Sequence, residues 1–342
     1  MKEGERIKFA IAGLGHIGKR HAAMISQNSE CAWVAGCDTI AKEQLKVSGN
    51  PIPWFQSVDD LLKSDVDFDV LSVATPNGLH EAHALQGLRA GKHVLIEKPM
   101  ALTKAGCEQI IYEALHQHRQ VFCIMQNRYS PTSVWLKEVL MKGILGKVYM
   151  VQINCFWNRD ERYYTPGNWH GTRELDGGTL FTQFSHFVDI MFWLFGDIKN
   201  ISGRFANFNH QGLIEFEDSG FVQFDFVNGG MGNLSYSTSC RDKNLESSIT
   251  VIAENGMVKV GGQYMNEVEY CHIKDYTMPL LPPANPPNDY GPYKGSAANH
   301  HFIFENVVDV LKGRSPITTN ALEGLKVVEI IERIYSLKAN VV

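Results

Sequence analysis

Short apolar segments alternate with amphipathic helical patterns over residues 1–125. Runs rich in β-branched residues predict strands at 8–12, 32–37, 70–74, 93–96 and 121–125. Between them, apolar residues at helical spacing predict helices at 17–27, 58–62, 78–90 and 104–118. Regular alternation of strands and helices is typical of a parallel sheet with helices on both faces. We therefore predict a doubly wound α/β domain.

The pattern changes after residue 125. A helix is predicted near 134–142, and longer alternating strands follow at 148–157, 220–227, 230–239, 248–253 and 257–260. Strands linked by turns pair antiparallel, since parallel pairing needs long crossovers. Residues 126–342 are thus expected to form an α+β domain on a large, mostly antiparallel, open-faced sheet. One helix is predicted at 176–195, a long irregular loop at 279–295, and closing helices at 300–312 and 322–337, which we expect to pack back on the first domain.

Composition limits the possible partners. The 342 residues are 44% hydrophobic with a net charge of -5, which suits two globular domains binding a small molecule. The chain has no basic run for nucleic acid, no apolar stretch of membrane length and no cleavable leader pattern. Seven scattered cysteines without a CxxC pair favour reduced thiols and a cytoplasmic location. Cys271, His272, His300 and His301 lack zinc-like spacing, so no metal site is predicted.

A glycine-rich turn follows the first predicted strand, with the letters GLGHIG. In this pattern Gly13 makes the tight turn, Gly15 lets a pyrophosphate approach, and Gly18 lets helix and strand pack closely. His16 and Ile17 open the helix whose N-terminus favours an anion. Asp38 ends the second strand about 20 residues later, where an acid binds the adenosine ribose hydroxyls and repels a 2′-phosphate. The sequence therefore predicts a Rossmann domain that prefers NAD to NADP.

Polar residues follow two further strands. Thr75, Pro76, Asn77 and His80 come after the third predicted strand, and Glu97 and Lys98 after the fourth. Open α/β sheets bind ligands at the carboxyl ends of their strands, so these residues are expected to border the nicotinamide side of the cofactor.

The motifs AGLGHIGKRH, ATPNGLH, EKPMA and GGTLFTQFSHFVDIMFWLFG together resemble the glucose-fructose oxidoreductase, inositol dehydrogenase and rhizopine catabolism (Gfo/Idh/MocA) family, over essentially the whole chain. The resemblance implies that Lys98 of EKP and His186 of H-x-x-D act on the reacting hydroxyl. Helical spacing also places Thr182, His186 and Asp189 on one face of the predicted helix. We expect His186 to remove the hydroxyl proton and Lys98 to stabilise the developing alkoxide.

Two positions depart from the family pattern. Many members have an acid four residues before the histidine, where this chain has Thr182, which puts a proton relay through that acid in question. Members often have Trp-Arg before the helix, where this chain reads Trp169-His170. Trp169 is expected to pack on the cofactor, and the role of His170 is open.

Within the family, segments at 126–131, 168–178 with 182–189, 244–262, and 290–293 leading to 295–309 resemble the bacterial UDP-N-acetyl-2-amino-2-deoxyglucuronate dehydrogenases, which oxidise C3 of the sugar during surface-polysaccharide (O-antigen, lipopolysaccharide) synthesis. A substrate with a diphosphate and a carboxylate needs fixed donors, and arginine suits this best. The candidates are Arg128, then Arg159 and Arg241, with Thr182, Asp189 and Tyr293 as further substrate contacts. Tyr290 and Tyr293 can stack on uracil or only cover the sheet.

The alternative functions are a free-sugar or inositol dehydrogenase, an NAD-dependent glycosidase, and a non-catalytic regulator that senses NAD or sugar. Lys98 and His186 disfavour the regulator. Apolar alternation over 221–226, with Phe205 and Phe208, suggests that a sheet face joins another subunit, giving a homodimer or homotetramer.

Overall fold

The computed structural model describes residues 5–47, 52–165, 167–291 and 293–340. Pro292 of the 290–293 segment and the first four residues of the chain lie outside this description. The chain divides into two compact units, Met1–Met125 with His300–Val328, and Gln126–Asn299 with Glu329–Val342.

The first unit is built on a six-stranded parallel sheet. Its strands are β1 Ile7–Ala12, β2 Cys31–Cys37, β3 Trp54–Phe55, β4 Val70–Val73, β5 His93–Ile96 and β6 Val121–Cys123. The helices that connect them are α1 His16–Gln27, α2 Lys42–Leu45, α3 Val58–Lys63, α4 His80–Arg89 and α5 Lys104–His116. The strand order β3-β2-β1-β4-β5-β6 is that of a Rossmann fold, which confirms the predicted fold class. The sequence patterns did not predict the short β3 and α2.

The central strands are apolar on both faces because helices cover both sides of the sheet. In β1, Phe9, Ala10 and Ile11 are all completely buried. Such strands appear in the sequence as continuous apolar runs rather than alternating ones, and this is why their positions were predicted closely.

The second unit carries a seven-stranded sheet of order β13-β12-β11-β7-β10-β9-β8. Its strands are β7 Val148–Phe156, β8 Ile198–Ala206, β9 Ser219–Phe226, β10 Met231–Ser237, β11 Glu246–Ala253, β12 Gly256–Gly261 and β13 Glu267–Ile273. All pairs are antiparallel except β7 with β10. The mostly antiparallel architecture is confirmed. No prediction was made for β8 or β13.

The helices of this unit are α6 Pro131–Met141, α7 Thr179–Thr182 and α8 Ser185–Phe195. The segment predicted as an irregular loop contains a small hairpin, β14 Pro287–Asp289 with β15 Lys294–Ala297. The last helices are α9 His300–Leu311 and α10 Ala321–Ser336, and the division between the units falls inside α10. No helix of the described ranges is long and apolar enough to cross a membrane.

Strand β9 alternates between buried and exposed side chains. Val222, Phe224 and Phe226 face the core, whereas Phe221 points outward and is 65% exposed. Phe208 lies beyond the end of β8 and is exposed, and Phe205 is half-buried. The alternating set of β9 therefore closes the core, and the joining of a sheet face to another subunit stays a prediction.

Candidate active site

The glycine-rich turn has the geometry that the motif predicts. Gly13 has φ +84°, and a Cβ there would lie 2.5 Å from the carbonyl oxygen of Ala74. A Cβ on Gly18 would lie 1.8 Å from the carbonyl oxygen of Gly13, whereas one on Gly15 would meet no described atom within 4 Å. Gly13 and Gly18 are thus required by the fold, and Gly15 leaves open space at the start of α1. Open space beside the first turn of a helix fits a dinucleotide pyrophosphate.

His16 and Ile17 occupy that first turn. Burial, and then the charge of Lys19, lower the pKa of His16. A neutral imidazole adds no charge to the helix N-terminus, so attraction for an anion there comes from the backbone N–H groups.

Asp38 follows β2 and lies against the glycine turn. Its Oδ2 accepts a hydrogen bond from the backbone N–H of Leu14 at 2.6 Å, and its Oδ1 accepts one from Ile40 at 2.9 Å. The carboxylate is therefore held next to the turn, which is the position that a ribose-binding acid requires.

His80 joins the ends of β4 and β5. Its Nδ1 lies 2.7 Å from the carbonyl oxygen of Pro99, and its Nε2 lies 2.8 Å from that of Thr75. Burial lowers its pKa. Pro76 precedes a 3-10 turn that contains the buried Asn77, and the backbone N–H of Leu79 donates to the carbonyl oxygen of Pro76 at 2.9 Å.

Glu97 is buried directly before Lys98. Its Oε2 accepts the backbone N–H of Lys98 at 3.2 Å, and its Oε1 lies 3.1 Å from Nε2 of His21 and 3.5 Å from Nε2 of His300. Although burial raises the pKa of Glu97, these histidines hold it well below its ordinary value. Lys98 itself is half-buried at the end of β5.

His21, Glu97 and His300 are the only group of three in the described part of the chain that could offer ligands to one metal ion. The nitrogens of His21 already face Ser72 and Glu97, at 2.9 and 3.1 Å. We therefore interpret the group as a hydrogen-bonded network that orients Glu97. Only His300 of the three was considered in the sequence as a ligand, and spacing could not connect it to His21 and Glu97, which lie far from it along the chain.

In the second unit, His186 lies in the first turn of α8 and is 6% exposed. Its Nε2 is 3.4 Å from the amide nitrogen of Gln126, which also lies 3.3 Å from Oγ of Ser296. An amide N–H only donates, so this contact is a hydrogen bond in the tautomer whose Nε2 is unprotonated, which is the form that a general base uses.

Asp189, one turn further along α8, is paired with Arg128. Nε of Arg128 donates to both carboxylate oxygens, at 3.1 and 3.0 Å, and Nη2 donates to Oδ1 at 2.5 Å. Both side chains are almost completely buried. Two residues predicted to contact substrate are thus bound to each other.

Thr182 does not continue the helix of His186 and Asp189. The backbone N–H of Phe184 bonds to the carbonyl of Thr179, five residues back, and a new helix begins at Ser185. Gly177 and Gly178, with φ +86° and +137°, also prevent a helical start at residue 176. The expectation of one helix over 176–195 is therefore wrong. Phe184 is buried against Trp157, Phe187 and Tyr236, and this packing places the break.

The remaining candidates of the second unit differ in environment. Arg159 is buried against Tyr163 and Tyr293, while the side chain of Arg241 is 94% exposed. Trp169 and His170 are half-buried, with ring centroids 3.8 Å apart, and His170 stacks on Tyr163 at 4.1 Å. Sequence reasoning assigned no role to Gln126 or Gln183, since a buried glutamine has no distinguishing spacing.

Comparisons with known proteins agree with this arrangement. Residues 7–125 match the model described as "Oxidoreductase family, NAD-binding Rossmann fold", and residues 134–259 match the GFO/IDH/MocA C-terminal domain. The crystal structure of the WlbA dehydrogenase from Bordetella pertussis, solved with NADH and UDP-GlcNAcA, is 30% identical, with a TM-score of 0.86 over 99% of this chain and 98% of that chain. The corresponding enzyme from Chromobacterium violaceum is 28% identical, with a TM-score of 0.87 over 99% and 95%.

Among curated relatives, the D-glucoside 3-dehydrogenase of Escherichia coli is 26% identical over 70% of this chain and 73% of its own length. An uncharacterized oxidoreductase of Synechocystis is also 26% identical, but the match spans only 56% of that protein. The two family models together cover most of the chain and divide it near the boundary of the two units. The protein belongs to the Gfo/Idh/MocA family of oxidoreductases, and its first unit carries the NAD-binding Rossmann fold of that family.

Proposed function

We propose that this protein oxidises a sugar hydroxyl to a ketone with NAD as the hydride acceptor, at C3 of UDP-N-acetylglucosaminuronic acid in surface-polysaccharide synthesis. The observation that carries the proposal is the likeness to the Bordetella enzyme, which extends over 99% of this chain at 30% identity. The D-glucoside and inositol dehydrogenases, which are 26% and 25% identical to this chain, support a sugar or polyol as the substrate class.

His186 is the proposed base. Its Nε2 lies 3.4 Å from the amide nitrogen of Gln126, and the unprotonated tautomer of this nitrogen is the one that the proposal requires. The ion pair of Arg128 with Asp189 fixes the next turn of α8, so the imidazole is presented from a rigid helix. In the proposed reaction His186 takes the hydroxyl proton as the carbon gives up its hydride.

Lys98 is the proposed electrostatic partner. Its backbone is held by Glu97, which is itself held by His21. The ammonium group stabilises the oxygen that loses its proton. When NAD is bound at the glycine turn, it supplies the acceptor for the hydride. Thr75, Asn77 and Trp169 are proposed to border the nicotinamide, and Asp38 to select NAD over NADP through the ribose hydroxyls.

The test is incubation of the protein and NAD with a panel of UDP-sugars, free sugars and inositols, followed by NADH absorbance and mass spectrometry of the product. We expect NADH and a product lighter by two hydrogens with UDP-N-acetylglucosaminuronic acid. Turnover of free sugars or inositol alone would identify the alternative dehydrogenase. Cleavage of a glycoside without net NADH would identify a glycosidase, and binding without turnover a regulator.

Lys98→Met and His186→Gln test the two roles. Each variant should retain NAD binding and lose at least about 100-fold in kcat, the usual contribution of a positioned acid–base group. A matched control is His116→Gln, a change at a side chain that is 66% exposed in the first unit. Wild-type turnover in both active-site variants would refute the assignment.

A further inference from the structure

Arg159 is a buried arginine with a fixed backbone. It follows β7 by three residues and is 3% exposed. Its N–H donates to the carbonyl of Thr238 at 2.9 Å, and its own carbonyl oxygen lies 2.6 Å from Nε2 of His210. The backbone of Arg159 is therefore held in one place by groups on neighbouring segments of the second unit.

Among the residues that the structure describes, the guanidinium donates only to neutral acceptors. Nε donates to Oε1 of Gln183 at 2.9 Å, Nη1 to the carbonyl of Asn158 at 2.5 Å and to Oδ1 of Asn244 at 3.4 Å, and Nη2 to the carbonyl of Lys294 at 3.1 Å. A guanidinium has five N–H groups. The fifth, on Nη2, has no partner among the described residues.

The rings of Trp157, Tyr163 and Tyr293 surround the same group, with centroids 4.8, 5.3 and 4.9 Å from Cζ. Within the described ranges no carboxylate forms an ion pair with Arg159, and burial lowers its pKa. Aromatic faces attract a cation, but buried arginines are ordinarily paired with an anion as well. Arg128, equally buried, has that partner in Asp189. Arg159 does not.

Arg159 is connected to the surroundings of His186. Gln183, which accepts from Nε, precedes α8 by two residues and donates to the hydroxyl of Tyr163 at 2.7 Å. Strand β15 offers the Lys294 carbonyl to Arg159 and, two residues later, Ser296 to Gln126, the neighbour of His186. Arg159, which has no counter-ion among the described residues, and Gln126, the neighbour of the proposed base, therefore both contact strand β15.

We propose that Arg159 is a specificity-determining residue that binds the carboxylate of an anionic sugar through the free N–H of Nη2, so that the substrate supplies the missing counter-ion. The proposal rests on the proposed function in that it takes the substrate to be a sugar acid. It makes the protein selective for the acid over the matching neutral sugar.

Gln183→Glu is the sharpest test, because it places a carboxylate of the same size beside Nε of Arg159. This internal counter-ion competes with the substrate carboxylate, and Tyr163 can still donate to it. We expect wild type to prefer UDP-N-acetylglucosaminuronic acid to UDP-N-acetylglucosamine in kcat/KM, and Gln183→Glu to reduce the ratio at least about tenfold. Arg159→Gln should reduce the ratio similarly. Arg162→Gln, at an exposed arginine paired with Asp160, is the control.

Thermal unfolding measures whether each variant still folds. The unfolding temperature of Gln183→Glu should not fall below that of wild type, since the new carboxylate pairs with a buried cation. Gln183→Glu therefore still tests the proposal if Arg159→Gln does not fold. Calorimetric Kd values for the same two ligands give the ratio without turnover. Equal Kd and kcat/KM values for the acid and the neutral sugar, or equal loss of both in Gln183→Glu, would overturn the proposal for Arg159 while leaving a sugar dehydrogenase intact.

Free glucuronate and glucose form the second ligand pair. A preference for glucuronate that Gln183→Glu removes, without use of any UDP-sugar, would support Arg159 and refute the UDP-linked substrate. If the protein binds none of these four ligands, the proposal is overturned.

Discussion

Arg128 and Asp189 form a forked ion pair inside the second unit, with side chains only 3% and 4% exposed. The pair joins the 3-10 turn at Gln126–Tyr129 to α8, the helix that carries His186. The aspartate of H-x-x-D therefore has a structural partner, and the arginine ranked first for binding substrate anions has its charge compensated within the protein.

Breaking this pair from one side should destabilise the protein strongly. Arg128→Met or Asp189→Asn leaves a buried charge alone, and we expect a loss of ~3–5 kcal/mol in the free energy of unfolding. Urea unfolding measures it. The control is Arg162→Met, which breaks the more exposed pair with Asp160 and should cost less than about 1 kcal/mol. The double change Arg128→Met with Asp189→Leu should recover part of the loss. Equal effects of the buried and exposed single changes would contradict the role of burial.

The glycine turn offers a matched pair of alanine substitutions. Gly18→Ala brings a methyl group within 1.8 Å of backbone and should lower the unfolding midpoint. Gly15→Ala meets no described atom within 4 Å at φ -66°, so the fold should keep its stability. Because a cofactor pyrophosphate would occupy that space, the Kd for NAD should rise at least about tenfold. Unchanged NAD affinity in Gly15→Ala would show that the pyrophosphate lies elsewhere.

Acid stability should depend on His83. Burial, followed by the charge of His80, lowers the pKa of His83 from 6.5 to about 4, and its Nδ1 lies 3.0 Å from Oγ1 of Thr75. Between these values the unfolded chain binds a proton that the folded chain does not. The free energy of unfolding therefore decreases as the pH falls from 6.5 to about 4, by up to about 1.4 kcal/mol per pH unit for this proton.

His83→Gln removes that contribution, so its unfolding free energy should fall less steeply over the same pH window. Urea titrations at several pH values measure the slope. His116→Gln, at an exposed site, should keep the wild-type slope. Identical slopes in wild type and His83→Gln would exclude a role for this imidazole.

Homo-oligomer formation is expected through the outer face of the second sheet. Met231, Met150, Ile252 and Met257 are aligned across four neighbouring strands, and are 54%, 44%, 41% and 40% exposed. A continuous apolar row of this kind favours burial against a second copy. The mass of the wild-type protein measured by light scattering should therefore be that of a dimer or a larger oligomer. Met150→Lys should lower this mass toward that of the monomer. Leu115→Lys, at an exposed leucine on α5, is the control and should leave the measured mass unchanged. A monomeric wild type would contradict the expectation.

Local patterns predicted those features that depend on neighbours in sequence. The bounds of all five strands predicted for the Rossmann unit lie within two residues of the observed bounds, because strands buried on both faces are continuous apolar runs. The roles of Gly13, Gly15 and Gly18 follow from backbone geometry alone. Strand β8 escaped prediction, since Asn200, Ser202 and Gly203 give it little strand propensity and its pairing with β9 stabilises it.

The sequence by itself determined the fold class and the cofactor turn, since both depend on residue type and short spacing. Asp38 as the ribose acid stays a prediction from that spacing, and Lys98 and His186 as reacting groups stay predictions from the family resemblance. The tertiary structure decided which charges are already paired. It joined Arg128 to Asp189 across 61 positions, left Arg159 among neutral groups, and broke the helix between Thr182 and His186 to bury Phe184. Such pairings form between distant segments, and only packing determines which buried charge still requires a partner.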